Sequence, residues 1–146
     1  MPIIKHWTAA IAWMSVIFLF STDIFSGSNT SSFFRPFLSS LLPSLTTEQI
    51  DLIHFLVRKF GHWSEYFILC LFLMGAVREH VPDSRQSLRL VLSLALATLY
   101  AIGDEWHQSF VPSRSSSMYD VLIDSIGAVC GALWYVRSKK IPDKSY

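Results

Sequence analysis

The residues with chemical potential in this chain stand at the edges of apolar runs, where such residues are costly. Lys59, His62, Glu65 and Tyr66 open one run. Asp104, Glu105, His107 and Gln108 close the next. Asp120 and Asp124 open the last, after a turn-like Val111-Pro-Ser-Arg114. A histidine of ordinary pKa can act as a general base near neutral pH. Glu65, Asp104 or Glu105 could orient His62 or bind a divalent cation. Hard oxygen ligands around an anionic headgroup suit Mg²⁺ or Ca²⁺, and His62 with Glu65 and Glu105 suits Zn²⁺. No spacing here is a recognised metal motif, however, and the sequence requires no cofactor. Lys59 and Arg114 can meet a phosphate or carboxylate, with Arg114 also the natural partner of Asp124 or Asp120. Tyr66 and Gln108 add hydrogen bonds.

Helical spacing groups these residues. His62 and Tyr66 are four apart and share a face, as do Asp104 and Gln108. Asp120, Asp124, Gly127 and Gly131 follow at steps of four, three and four, which is one stripe, acidic at its start and glycine beyond. The glycines let a neighbouring helix approach closely. Asp124 lies more than a turn inside its helix and is expected to face the bundle interior.

The elements that position these groups are four apolar runs, at Trp7 to Thr22, Phe60 to Val77, Leu90 to Gly103 and Val121 to Val136. Spanning a bilayer takes about 20 residues, so each run is slightly short. The last three reach spanning length only if the polar residues at one end are embedded too. A soluble bundle would need a polar stripe on every helix, and Leu90 to Ile102 has none. Half of the 146 residues are hydrophobic, more than a small soluble chain can usually hide. The expectation is a single all-α membrane domain over 1–146, with four transmembrane helices near 4–22, 60–78, 88–107 and 119–137. The first run is expected to be retained rather than cleaved as a signal peptide, since no clear small-residue cleavage site follows it.

Counting Lys and Arg by loop gives eight on the side of both termini and four on the other. The first set is Lys5, Arg78, Arg85, Arg89, Arg137, Lys139, Lys140 and Lys144; the second is Arg35, Arg58, Lys59 and Arg114. The positive-inside rule then puts both termini in the cytoplasm and 23–59 outside. Within that segment Arg35-Pro36 and Leu42-Pro43 argue against a long helix. Phe33, Phe34 and Phe37 either rest on the bilayer interface or cap the bundle. Thr46 with Gln49 forms a capping-box pattern that starts a helix near Glu48, running into the second apolar run near Gly61. Cys70 and Cys130 each sit inside an apolar run and read as small buried hydrophobes.

Three blocks of this chain, in order, resemble the signature of the VanZ-like family. The first is Arg58, Lys59, His62 and Tyr66. The second is Asp104, Glu105, Gln108, Phe110, Pro112 and Arg114. The third is Asp120, Asp124, Gly127 and Gly131. Asp124 departs from the family pattern, which has Asn there, and adds a negative charge. The resemblance implies a bacterial multi-pass protein of the cytoplasmic membrane, in a family whose founding member is associated with resistance to the glycopeptide teicoplanin.

A net charge of +1 and the lack of any dense basic tract leave no nucleic-acid footprint. Charge at membrane depth costs at least about 2.5 kcal/mol near the centre, so the clustered polar residues call for a role. Three roles are open. They bind or modulate a lipid headgroup, a lipid-linked cell-wall precursor or a glycopeptide, through Lys59, His62, Tyr66, Asp104, Glu105, Gln108, Arg114, Asp120 and Asp124. Or they catalyse hydrolysis or transfer on a lipid-linked headgroup, with His62, Glu65, Asp104 and Glu105 as candidates. Or they are a polar lock that holds the helices in register.

Overall fold

The computed structural model describes residues 2–140; Lys144, one of the basic residues of the tail, lies outside them. The described residues are helical, with no strand among them. Helix α1 spans Pro2–Phe20 and is followed by a single 3-10 turn at Asp23–Phe25. Helix α2 spans Gly27–Leu41, α3 Thr47–Arg78, α4 Gln86–Gln108 and α5 Met118–Lys140.

Three helical segments, Thr47–Arg78, Asp83–Gln108 and Met118–Ser138, are long and apolar enough to cross a membrane; α1 is a shorter apolar helix over Lys5–Phe20. The burial pattern fits a bilayer. Leu99 is 66% exposed and Leu122 57%, while Asp124 is fully buried and the core is rich in alanine, including Ala97, Ala101, Ala128 and Ala132. Tyr66, Ile17, Leu69 and Met74 are buried as well, but many large apolar side chains on the outside around a core that holds a carboxylate depart from the arrangement that water favours.

Capping explains where α3 begins. The Thr46 side chain accepts from the Gln49 backbone N–H, and the Gln49 side chain accepts from the Thr46 N–H, so two otherwise orphaned donors are satisfied. The helix then runs 32 residues without a break at Gly61. The segment before it departs from expectation, because α2 is a helix of 15 residues with Pro36 inside it. Proline removes one hydrogen bond and crowds the preceding turn, yet α2 is tied down from outside. Arg35 makes a two-pronged ion pair with Asp51 of α3, at 2.6 and 2.8 Å. Thr30 Oγ1 lies 3.0 Å from His54 Nε2, and the Phe34 ring packs on His54. The Ser26 hydroxyl caps the start by accepting from the Asn29 N–H, and the helix stops two residues before Pro43.

The closest packing is between α3 and α5. A Cβ on Gly127 would overlap the Trp63 carbonyl, and one on Gly131 would overlap the Phe67 carbonyl. Two backbones can approach this closely only where no side chain intervenes. Along its middle, helix α1 is held by Trp13 Nε1, which donates to the Glu65 carbonyl at 2.8 Å, and by Tyr100 Oη, which donates to the Met14 carbonyl at 2.6 Å. At one end of the bundle His6 Nδ1 lies 2.5 Å from Glu79, and Trp7 Nε1 donates to His80. At that same end Arg89 is buried and donates to the Val81 carbonyl and to Asp83. The other end carries the polar cluster. Both cysteines are free, Cys70 buried and Cys130 partly so.

Candidate functional site

The polar end is assembled from α1, α3, α4, α5 and the loop after α4. Its contacts divide the sequence-derived residues into two sets.

The first set joins helices to one another. Lys59 of α3 donates to Asp120 of α5. Asp104 of α4 accepts from the Ser21 hydroxyl just past α1 and from Gln108 Nε2 at 2.9 Å. Glu105 Oε2 accepts from the Ser117 backbone N–H at 2.8 Å, which fixes the start of α5 to the end of α4. Tyr66 is fully buried, its hydroxyl without a hydrogen-bond partner, and its ring faces that of Tyr100 at 6.3 Å.

Arg114 belongs partly to this set, and its partners differ from those expected. It pairs with neither Asp124 nor Asp120. It donates to the backbone carbonyls of Phe20 and Thr22, closing the end of α1. The last carbonyls of a helix lack intrahelical partners and carry partial negative charge, so a guanidinium fork is a natural cap. Burial lowers the Arg114 pKa and nearby Arg58 adds to this, while Asp104, Glu65 and Glu105 oppose it. Helix α1 therefore contributes to the polar end through Ser21 and these two carbonyls, where sequence spacing pointed only to the other three apolar runs.

The second set surrounds open space. A cavity of about 560 Å³ lies between the 3-10 turn, α2 and α3, bordered by Arg114. Phe20, Phe25, Phe33 and Phe34 supply apolar walls, and His54, Arg58, His62, Glu65 and Arg114 supply the charged and titratable edge. Arg58 Nη1 donates to the Phe25 carbonyl at 3.1 Å. Of the sequence-derived binding residues, only His62 and Arg114 reach this cavity, joined by Glu65 from the catalytic candidates. Lys59, Tyr66, Asp104, Glu105, Gln108, Asp120 and Asp124 are not among its lining residues. His54 and the aromatic walls carry no spacing signal. Arg58 does, since it opens the first signature block beside Lys59.

Between the two sets lies His62, whose Nδ1 is 3.4 Å from Asp124 Oδ1. Neither oxygen of Asp124 accepts a hydrogen bond, and Glu105 Oε1 is likewise without a partner. One ligand atom each from His62, Glu105 and Asp124 lies within 4.8 Å of the others.

No curated protein and no solved structure matches the chain. A family model does, over residues 6–139, which takes in all or most of every helix and each of the three signature blocks. On that match the chain belongs to the VanZ/LLP1 family.

Proposed function

We propose that the cavity beside His62 receives the polar end of a cell-envelope amphiphile: a lipid, a lipid-linked cell-wall precursor or a glycopeptide. One observation carries this reading, the pairing of phenylalanine walls with two arginines at the edge of one cavity. Binding sites for amphiphilic molecules are typically concave and mostly apolar, with a few convergent polar groups. Here Arg58 and Arg114 offer positive charge, and the donors left over from their bonds to backbone carbonyls, to a phosphate or carboxylate, and His62 and Glu65 offer hydrogen bonds to hydroxyls. The apolar part of the ligand would lie along Phe33 and Phe34.

In this reading the chain crosses the bacterial cytoplasmic membrane four times with both termini inside, and the cavity opens outward. Such a position would let it bind or modulate an envelope component and contribute to antibiotic resistance. The inter-helix pairs Lys59–Asp120 and Ser21–Asp104–Gln108 support a second role for part of the cluster, a polar lock that holds the cavity walls in register.

The test is extraction and mass spectrometry of the lipids that copurify with the protein, wild type against Arg58→Ala. Arg58 is the better probe than Arg114, because Arg114 also closes α1. One lipid class enriched over the bulk membrane and depleted in Arg58→Ala is the expected result. Identical lipid profiles would sink the headgroup reading. Turnover of a lipid-linked precursor by the purified protein would instead point to an enzyme.

A further inference from the structure

We propose that His62, Glu105 and Asp124 form a binding site for one divalent transition-metal ion, with zinc the best fit and manganese the nearest competitor. The site adjoins the cavity and shares His62 with it, but its other two ligands, Glu105 and Asp124, do not line the cavity.

The three residues come from α3, α4 and α5, and their potential ligand atoms lie within 4.8 Å of one another. Ligands held at about 2.0–2.2 Å from a zinc ion sit roughly 3–4 Å apart. Small side-chain rotations close the remaining gap.

The second observation is unmet bonding capacity. Asp124 is fully buried, and neither of its oxygens accepts a hydrogen bond; Glu105 is 5% exposed, and its Oε1 has no partner. His62 Nδ1 is also without a hydrogen bond. Burying carboxylate oxygens without hydrogen bonds is unfavourable, and here Glu105 has one donor, on its other oxygen, while Asp124 has only the His62 Nδ1 at 3.4 Å. Tyr66, Glu79, Ser93 and His107 also carry a buried polar atom without a partner, but among the described residues only His62, Glu105 and Asp124 bring three potential ligand atoms within 4.8 Å of one another.

Charge balance favours a cation over a further donor. Glu65, Asp104 and Asp120 also act electrostatically on His62 or Asp124. The nearest formal cations are committed elsewhere, Lys59 to Asp120 and Arg114 to backbone carbonyls. Apart from His62, which lies 3.4 Å from Asp124 and is cationic only when protonated, no cation pairs with Glu65, Glu105 or Asp124 among the described residues.

The donor set selects the ion class. One imidazole nitrogen with two carboxylate oxygens suits zinc or manganese, whereas calcium and magnesium prefer oxygen alone. Glu105 is already oriented by the Ser117 N–H on its other oxygen. Such outer bonds are the usual means of aiming a ligand at a metal.

The experiment uses the full chain in detergent or nanodiscs, with any polyhistidine tag removed. The protein is stripped with chelator, loaded with Zn²⁺, desalted and analysed for metal. Wild type is expected to retain close to one zinc per chain. Its melting temperature should rise by roughly 5 °C or more at saturation, because the ion joins three helices. Asp124→Asn and Glu105→Gln should lose at least tenfold in affinity, while His6→Ala, at the other end of the bundle, should bind normally. Retention of no zinc by the wild type, or wild-type stoichiometry in both site variants, overturns the proposal. If either variant fails to fold, Co²⁺ loading of the wild type decides. Visible absorption stronger than that of the aqueous ion supports the site, and an unchanged aqueous spectrum refutes it.

Discussion

Lys59 on α3 and Asp120 on α5 form an ion pair whose acid is buried and whose base is only partly open to solvent. Removing one partner leaves the other charge buried and alone, which typically costs more than the pair itself contributes. Lys59→Met should therefore destabilise the protein by roughly 3 kcal/mol, read as lower thermal stability in detergent. Lys59→Met combined with Asp120→Asn should recover much of the loss. A double variant no more stable than the single one would show that the pair is not the unit that matters.

Small residues set the α3–α5 distance. Gly127→Val should force the helices apart and cost about 1–3 kcal/mol or more, because the added atoms meet the Trp63 backbone rather than a movable side chain. Gly103→Ala, which meets nothing within 4 Å, should be neutral or stabilising by up to about 1 kcal/mol through helix propensity. Equal melting temperatures for these two variants would contradict the close backbone approach.

The outward face of α4 should be in lipid. Leu99→Arg is predicted to cost about 2.5–3.5 kcal/mol of insertion and to lower the amount of protein recovered in membranes. Full recovery in the membrane fraction, with unchanged stability, would mean that this face meets water.

Orientation has its own check. A cysteine placed at Ser115, in a variant without Cys70 and Cys130, should react with an impermeant thiol reagent in intact cells. Protection at that position, with labelling only after permeabilisation, would reverse the assignment made from the Lys and Arg count.

Much of this architecture is legible in the sequence. Hydropathy runs reveal the apolar helices, the Thr46–Gln49 pattern reveals the start of α3, and the stripe through Asp120, Asp124, Gly127 and Gly131 reveals a face of α5. These are local signals, each carried by residues within a few turns of one another. What stays hidden is whichever partner lies far along the chain. Ser21 bonds to Asp104 across 83 positions, and nothing about an isolated serine announces it. Arg114 looks like a carboxylate partner because charge is visible in a sequence, whereas the carbonyls that it caps belong to every residue and carry no signal. Helix α2 is hidden for a related reason. Pro36 speaks against a helix locally, and the Arg35–Asp51 pair that helps to hold it is a tertiary contact. The cavity depends on that same packing, so no spacing rule could have found His54 or Phe25.

The most direct test of the amphiphile reading is to fill the cavity without touching its charges. Gly61 lines the cavity, and a Cβ there meets nothing within 4 Å, so Gly61→Phe can place a ring in the open space while α3 stays intact. Bound lipid per chain should be quantified by mass spectrometry for wild type and Gly61→Phe, purified identically and matched in melting temperature. The headgroup reading predicts that the enriched lipid class is lost from Gly61→Phe while bulk lipids are unchanged. The same enriched lipid at the same stoichiometry in both proteins would contradict it.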